Sequence, residues 1–217
     1  LEEIAPVLKQ VMGATRSMAL DSRLAHDELH ELRQRAQDKH TELVRLQQTL
    51  DQVSQQARHD PLTGSLNRKG LDEVLEREIS RSRRAETPLC VALLDVDNFK
   101  HINDRLGHAT GDAALVHLAN VVRSVMRPQD MLARYGGEEF VLVLPDTALA
   151  SGIEAMQRLQ RELTKNFFLK DNEKLLITFS AGVAQLAASE DSQDAIARAD
   201  QAMYLAKRQG KNRVVAG

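Results

Sequence analysis

Two adjacent carboxylates follow a pair of glycines in the segment Arg134-Tyr135-Gly136-Gly137-Glu138-Glu139-Phe140. Apolar residues on both sides predict two short strands, and Gly-Gly between strands predicts a hairpin turn. Two interpretations remain open at this point. The segment is either a surface hairpin with a solvated Glu138–Glu139 pair, or a divalent-metal site beside glycines that let a phosphate approach the backbone.

Two aspartates follow the apolar run Leu89–Leu94, which is typical of a strand buried on both faces. Ligands of open α/β sheets bind beyond the carboxyl ends of such strands. We expect only one of Asp95 and Asp97 to face the glutamates. We expect that residue to be Asp95, which leaves Asp97 to cap a helix that begins near Asn98. Asp95 and the two glutamates can together hold Mg²⁺, and a pair of such ions suits phosphoryl or nucleotidyl transfer.

Asn103 and Asp112 are candidates for reading a purine base. An asparagine amide and a carboxylate have the donors and acceptors that match the edge of guanine. The alternatives are that Asn103 is a turn residue and that Asp112 caps the helix that Gly111-Asp112 opens.

Composition narrows the class of protein. The chain has 217 residues, 42% apolar and 28% charged, with a net charge of −2. This is typical of a soluble protein and argues against nucleic-acid binding. The single cysteine, Cys90, excludes an internal disulfide and fits a reducing compartment. The sequence has no transmembrane run or signal peptide. Because it begins at Leu1 rather than Met, we interpret it as a fragment that an upstream sensor or membrane domain can precede.

The pattern after Arg58 is α/β, and helices alternate with strands around one hairpin. We therefore expect an α/β (α+β) fold with a mixed central sheet flanked by helices. The predicted helices are Arg68–Arg84, Ala113–Met126, Ala148–Phe167 and Ala195–Arg208, and the further predicted strands are Leu175–Gln185 and a short one near Val214.

Residues before about 58 form a different kind of segment, rich in Leu, Gln and charged residues. From Leu29 onward they fit a heptad repeat, which favours a coiled-coil stalk over a single amphipathic helix lying on the domain surface. The a positions are Leu29, Ala36, Leu43, Leu50 and Ala57, and the d positions are Leu32, Lys39, Leu46 and Val53. We predict a stalk over residues 1–58 and a compact α/β domain over residues 59–217.

His26 and His30 have the spacing of a helical zinc site. The sequence supplies no obvious carboxylate or cysteine to complete it, so a solvated helix face is the preferred interpretation.

Five motifs together resemble the GGDEF family of diguanylate cyclases, from about Asp60 to Val215. They are Asp60-Pro-Leu-Thr-Gly with Asn67-Arg68, DVDNFKHIND from Asp95 to Asp104, Gly107-His108 with Gly111-Asp112, RYGGEEF, and ADQAMYLAKRQGKNRV from Ala199 to Val214. The resemblance implies a palm-like nucleotidyl-cyclase fold. It also implies a nucleotidyltransferase that condenses two GTP molecules into cyclic di-GMP and two pyrophosphates.

The resemblance also assigns roles to residues. Asp95, Glu138, Glu139 and the Val96 carbonyl would bind Mg²⁺ or Mn²⁺, two ions per active half-site, and Glu138 would help to deprotonate the 3′-hydroxyl. The predicted substrate-binding residues are Asn103 and Asp112 for guanine, and Phe99, Lys100, Gly136, Gly137, Lys207 and Lys211 for the phosphates. We place Lys207 and Lys211 on one helix face, where the alternative is an ordinary cationic helix end.

Arg127 and Asp130 match the RxxD pattern of the family's product-inhibition site, and Arg81 of a second subunit would complete it. The alternative is a surface turn. Since each domain holds one GTP, two copies must face each other, and the stalk would make the homodimer. The resemblance implies a cytoplasmic domain, tethered to a membrane only through upstream residues. The rival functions are a catalytically silent cyclic di-GMP receptor and a dimerisation module.

Overall fold

The computed structural model describes residues 12–13, 18, 32–47, 49, 57–170 and 173–217 of the chain. The chain divides into two units, Leu1–Ser54 and Gln55–Gly217. This division lies near the predicted domain boundary after residue 58, which stays a prediction. None of the described helices combines the length and the apolar character needed to cross a membrane.

In the first unit, residues 32–47 form a helix, α1. Leu32, Leu43 and Leu46 occupy predicted a or d positions of this helix and are exposed to solvent in the single chain. Ala57, the last predicted a position, lies in a turn instead of a helix. Its carbonyl accepts a hydrogen bond from Asn67 Nδ2 at 3.0 Å, so the predicted heptad seam extends too far. The predictions for His26, His30, Leu29, Leu50 and Val53 lie outside the described residues.

The described part of the second unit contains five helices and seven strands. In chain order they are α2 (Arg68–Ala85), β1 (Leu89–Val96), α3 (Phe99–Leu106), α4 (His108–Val125), β2 (Met131–Arg134), β3 (Glu139–Pro145), α5 (Leu149–Lys165), β4 (Phe168–Lys170), β5 (Glu173–Leu175), β6 (Phe179–Gln185), α6 (Ser192–Arg208) and β7 (Val214–Ala216).

Five strands form the central sheet in the order β2-β3-β1-β6-β7. The pairs β2–β3, β3–β1 and β1–β6 are antiparallel, whereas β6 and β7 are parallel. The predicted mixed sheet is therefore confirmed. Strands β4 and β5 form a separate two-stranded hairpin.

Strand β1 lies at the centre of the sheet, and all eight of its residues are buried. Alternate side chains enter two apolar clusters. Cys90, Ala92 and Leu94 pack with α4 and α5 on one face, and Leu89, Val91 and Leu93 pack with α2 and α6 on the other. A continuous apolar run is what a strand covered by helices on both faces requires. Removing a buried leucine side chain here would cost about 2–5 kcal/mol.

Two predicted strand boundaries differ from the structure. The strand predicted as Leu89–Leu94 continues to Val96, so Asp95 lies inside β1 and does not follow it. The strand predicted as Leu175–Gln185 is two strands, because β5 ends at Leu175 and β6 begins at Phe179.

Helix α4 begins five residues earlier than predicted, at His108. Its N-cap is Gly107, which has φ 81° and ψ 157°, a positive-φ conformation that glycine adopts without strain. Asp112 is therefore the fifth residue of the helix and cannot be its N-cap. Gly111 is buried inside the helix instead of opening it, because the Asn103 side chain packs against its backbone.

Candidate active site

The three predicted metal-binding carboxylates lie at one end of the paired strands β1 and β3. Asp95 in β1 is directly opposite Glu139 in β3 in the antiparallel register. Glu138 is held at the same end, because its carbonyl accepts a hydrogen bond from the Val96 N–H at 3.3 Å. The hairpin and the central strand thus bring together residues that are more than forty positions apart in the sequence.

Asp95 is a buried carboxylate, only 5% exposed. Its Oδ2 pairs with the Lys207 ammonium at 2.7 Å, whereas its Oδ1 is buried with no hydrogen-bond partner. Burial raises the pKa of Asp95, and the neighbouring Lys207 opposes that rise only in part. A buried carboxylate oxygen without a partner is unstable unless a cation or a donor reaches it. This oxygen therefore fits the site of a divalent cation.

Glu138 and Glu139 also have raised pKa values. In both residues burial contributes most, followed by repulsion from Asp95, and Asp200 adds to the rise at Glu139. Burial and mutual repulsion therefore outweigh the favourable charges of Lys207 and Lys211 at these carboxylates. Among the residues that the structure describes, no three Asp, Glu, His or Cys side chains already form a complete metal-binding group.

The two turn glycines differ in what surrounds them. A Cβ at Gly136 would lie 2.4 Å from Glu139 Oε2, whereas a Cβ at Gly137 would meet nothing within 4 Å. Neither residue has a left-handed backbone. Gly136 is thus needed for the close approach of the Glu139 carboxylate and not for positive φ.

Arg134 and Asp60 contribute to the site, although sequence analysis gave neither a role. Arg134 Nη1 pairs with Asp60 Oδ2 at 3.1 Å, and Arg134 Nη2 donates to the Gly137 carbonyl at 2.7 Å. Burial raises the pKa of Asp60, but hydrogen bonds from Thr63 and the charge of Arg134 hold it below its ordinary value. Both residues stand in quoted motifs, yet a contact over 74 residues cannot be read from either motif alone.

A cavity of about 430 Å³ opens beside these carboxylates. It is lined by seven of the predicted site residues, namely Asp95, Val96, Phe99, Lys100, Glu138, Lys207 and Lys211. Most of the predicted metal and phosphate ligands therefore share one pocket. Glu139, Gly136 and Gly137 stand beside it and do not line it.

Lys207 and Lys211 were predicted to share one helix face, and the structure shows that they do not. Helix α6 ends at Arg208, so Lys207 is in its last turn and Lys211 lies beyond it. Lys211 has φ 62° and donates from Nζ to Asn98 Oδ1 at 2.5 Å. The two ammonium groups reach the same cavity from different backbone conformations.

Asn103 and Asp112 lie on α3 and α4. A Cβ at Gly111 would fall 1.9 Å from Asn103 Oδ1, so the Asn103 amide packs against the residue that precedes Asp112. Asp112 is exposed. Neither residue lines the cavity, and their role in guanine recognition stays a prediction.

Asp97 does not cap α3. The N-cap of that helix, Asn98, makes no side-chain capping bond. The Asp97 carboxylate instead accepts hydrogen bonds from Thr178, Ser180 and Asn212, so this interpretation was wrong. Asp97 also lines the cavity that Asp95 and Glu138 line, so the two aspartates do not lie on opposite sides as expected.

Arg127 and Asp130 form a closed turn ahead of β2. The Arg127 N–H donates to Asp130 Oδ2 at 2.9 Å, and the Asp130 N–H donates to the Arg127 carbonyl at 3.0 Å. Burial raises the pKa of Asp130, while Arg127 and Arg158 oppose the rise. Both turn residues line a second cavity, of about 620 Å³.

Arg81 of the same chain lies outside the cavity that Arg127 and Asp130 line. It pairs with Asp146 and, at 3.3 Å, with Glu78, and it does not line the second cavity. Arg77, one helical turn earlier, does line it. Sequence analysis missed Arg77 and Arg158 because no motif marks them.

A family model described as "Diguanylate cyclase, GGDEF domain" matches residues 57–213. Diguanylate cyclase DgcP of Pseudomonas aeruginosa is 37% identical over 213 residues, which cover 98% of this chain and 29% of the relative. The chain spans about a third of the length of the curated relatives that it matches.

Solved structures show the same fold. The coiled coil and GGDEF domain of DgcB from Caulobacter crescentus, in complex with c-di-GMP, is 34% identical with a TM-score of 0.80, covering 86% of this chain and 99% of that one. Diguanylate cyclase SiaD of Pseudomonas aeruginosa, in complex with its activator SiaC, is 33% identical with a TM-score of 0.76, covering 100% of this chain and 84% of that one. The predicted resemblance is confirmed, and the chain belongs to the GGDEF family of diguanylate cyclase domains.

Proposed function

We propose that this chain is a diguanylate cyclase that condenses two GTP molecules into cyclic di-GMP and two pyrophosphates. One observation carries the proposal. Asp95 lies opposite Glu139 in the sheet and forms an ion pair with Lys207, and Glu138 lies beside them at a cavity lined by further lysines. Carboxylates for a divalent cation and ammonium groups for phosphates are the two requirements of nucleotidyl transfer.

Asp95, Glu138, Glu139 and the Val96 carbonyl would hold Mg²⁺ or Mn²⁺, two ions per half-site. The unpartnered Asp95 Oδ1 supports this assignment. When bound, the ions supply charge stabilisation at the attacking and leaving oxygens. Glu138, whose pKa is raised by burial and by Asp95, is suited to accept the proton of the 3′-hydroxyl.

Lys207, Lys211, Lys100 and the Phe99 backbone would bind the triphosphate from the walls of the cavity. Lysine is an effective point charge for phosphate. Gly136 and Gly137 lie in the turn between the carboxylates and β2 and would face the phosphates. Asn103 and Asp112 would select guanine by pairing with its polar edge.

The product has two-fold symmetry, so two copies must present their GTP molecules to each other. We propose a homodimer made through the stalk, which would raise the effective concentration of the second half-site. Because SiaD binds its activator SiaC, an upstream sensor or protein partner acting on the stalk is part of the proposal. We propose a cytoplasmic location for the domain, because GTP is a cytoplasmic substrate, with any membrane tether upstream.

We also propose that the product inhibits the enzyme at Arg127 and Asp130, with Arg81 supplied by a second copy. Asp130 Oδ1 is buried with no hydrogen-bond partner, and a guanine edge offers the N–H donors that it lacks.

The decisive experiment incubates the purified chain with GTP and MgCl₂ and separates the products by chromatography. We expect cyclic di-GMP and pyrophosphate, no product from ATP, and none from Glu138→Gln. Absence of product together with binding of added cyclic di-GMP would show a silent receptor instead. Absence of both would leave a dimerisation module.

A further inference from the structure

The Asp97 carboxylate is buried and has none of the roles proposed above. Asp97 follows β1 directly and is 6% exposed. Its Oδ1 accepts a hydrogen bond from Ser180 Oγ at 2.7 Å. Its Oδ2 accepts from Thr178 Oγ1 at 3.0 Å and from the Asn212 backbone N–H at 2.9 Å. The carboxylate thus joins the end of β1 to the start of β6 and to the turn that follows α6.

That turn has an unusual backbone. Gly210, Lys211 and Asn212 have φ values of 114°, 62° and 46°. Side chains other than glycine rarely adopt the left-handed region, so two such residues in succession persist only where their surroundings fix them. The Lys211 N–H donates to the Ala206 carbonyl at 3.1 Å, which joins the turn to the end of α6. On its other side the turn is held by the Asn212–Asp97 bond and by the bond from the Ala181 N–H to the Arg213 carbonyl, at 2.9 Å.

The same turn carries a lysine of the cavity. Lys211 Nζ donates to Asn98 Oδ1 at 2.5 Å, and Lys211 lines the cavity together with Lys207 and Glu138. A lysine side chain has many rotamers, so its use against a phosphate depends on where its backbone is held.

We propose that Asp97 is a positioning residue, which holds the 210–212 turn so that the Lys211 ammonium meets the polyphosphate of the substrate. This inference rests on the proposed function, since GTP supplies that polyphosphate. It predicts that Asp97 acts on nucleotide binding through Lys211 and not through general stability.

The test measures binding of the α,β-methylene analogue of GTP in Mg²⁺ by calorimetry. Asp97→Ala should weaken binding about tenfold, which is the size expected when one charge-assisted contact is lost. Asp97→Asn should keep most of the affinity of the unaltered protein. Its side-chain oxygen can still accept from the Asn212 N–H, and its NH₂ group can donate to the Ser180 hydroxyl once that hydroxyl rotates. In a Lys211→Ala background, Asp97→Ala should weaken binding by less than about twofold further.

Ser180→Ala is the matched control. It removes a buried hydrogen bond to Asp97 but keeps the Asn212 bond, so its affinity should stay within about twofold of the unaltered protein. Hydrogen exchange without nucleotide gives a second readout: amides 210–213 should exchange faster in Asp97→Ala, and those at the centre of β6 should not. If Asp97→Ala does not fold, the triple variant Asp97→Ala/Thr178→Val/Ser180→Ala removes the two hydroxyls that lose their acceptor and is tested in the same way.

Normal affinity in folded Asp97→Ala, or an equal loss in the Lys211→Ala background, would overturn the positioning role of Asp97. Either result would leave the proposed function standing. If the unaltered protein does not bind the analogue, the proposed function fails and the role of Lys211 fails with it.

Discussion

Glu138, Glu139 and Asp95 carry more negative charge than the one lysine paired with them can balance. Such a group of carboxylates opposes folding at neutral pH and is retained where function needs it. Burial is the main cause of their raised pKa values and mutual repulsion adds to it, so a bound divalent cation would stabilise the charged forms. Stability and activity are therefore expected to respond in opposite directions when one carboxylate is neutralised.

Glu138→Gln tests this expectation. The substitution should abolish cyclic di-GMP synthesis and raise the melting temperature by about 1–3 °C at pH 8, a small gain because Glu138 is partly exposed and screened by water. A raised folded-state pKa means that the folded state binds the proton more tightly. The penalty therefore develops as pH rises through that pKa and disappears at low pH. Thermal unfolding followed by circular dichroism at pH 4 and pH 8 measures it.

The comparison between the two pH values is the control. The difference in melting temperature between Glu138→Gln and the unaltered protein should shrink towards zero at pH 4. A variant that is less stable at pH 8, or one that keeps a tenth of the turnover, would contradict the assigned role.

The two turn glycines provide a matched pair of substitutions. Gly136→Ala should lower the turnover at least about tenfold without unfolding the protein, because its Cβ would displace the Glu139 carboxylate. Gly137→Ala should lower turnover less than Gly136→Ala does, because a Cβ there meets no protein atom within 4 Å and can oppose only the approach of the phosphates. Initial rates of pyrophosphate release measure both. Equal loss in the two variants would show that the backbone conformation of the turn matters and that the contact with Glu139 does not.

The hairpin between β2 and β3 is tied to the segment where the second unit begins. Arg134 links the Gly137 carbonyl to Asp60. The Leu66 N–H donates to the Leu132 carbonyl of β2, and the Arg134 N–H donates to the Leu66 carbonyl. A displacement of the Asp60 turn would therefore reach the carboxylates through Arg134. The Arg134 and Asp60 side chains are 18% and 15% exposed, so water and salt screen their interaction less than that of a surface ion pair.

The turn before β2 tests the proposed inhibition. Arg127→Ala should weaken inhibition by cyclic di-GMP at least about tenfold. The substitution removes the proposed contact between the Arg127 side chain and the product, and it removes the positive charge beside Asp130. Gln129→Ala, in the same turn, is the control and should be inhibited normally. Progress curves with and without added cyclic di-GMP give the inhibition constants. If both variants are inhibited equally, this turn has no inhibitory role.

Sequence reasoning located most elements correctly because buried strands and amphipathic helices have a clear hydrophobic period, as in β1 and α6. It failed where a tertiary contact overrides local preference. Gly111 was predicted to open a helix, but it lies inside α4. A glycine is needed there because the Asn103 side chain occupies the space that a Cβ would fill. The break between β5 and β6 falls within a run of apolar residues, where periodicity gives no boundary.

The site was predicted in composition but not in geometry. The motifs identify Asp95, Glu138 and Lys207, and the structure brings them together. Lys211 was predicted to lie on α6 because it follows Lys207 by four residues. Gly210 and Asn212 already indicated that the helix ends before it. The Arg134–Asp60 contact needed the fold itself, because no local pattern links residues so far apart.

At the scale of the whole molecule, the proposed reaction needs two copies, and the described part of α1 offers a surface on which they can meet. Leu43 and Leu46 are 64% and 53% exposed in the single chain, at adjacent a and d positions. Exposed leucines at this spacing are typical of a seam that a second helix covers. Val44 is also 45% exposed, but it lies outside the a and d positions.

Leu43→Asp/Leu46→Asp should therefore convert a dimer into a monomer, because two buried charges in a seam oppose association. Val44→Asp introduces the same chemistry outside the seam and should leave the dimer intact. Sedimentation velocity measures the oligomeric state, and the specific activity is followed as protein concentration rises. We expect the double variant to lose activity at low concentration and to recover part of it as the concentration rises, since mass action replaces the tether. A double variant that remains dimeric, or a monomer whose activity does not depend on concentration, would show that the stalk does not bring the two half-sites together.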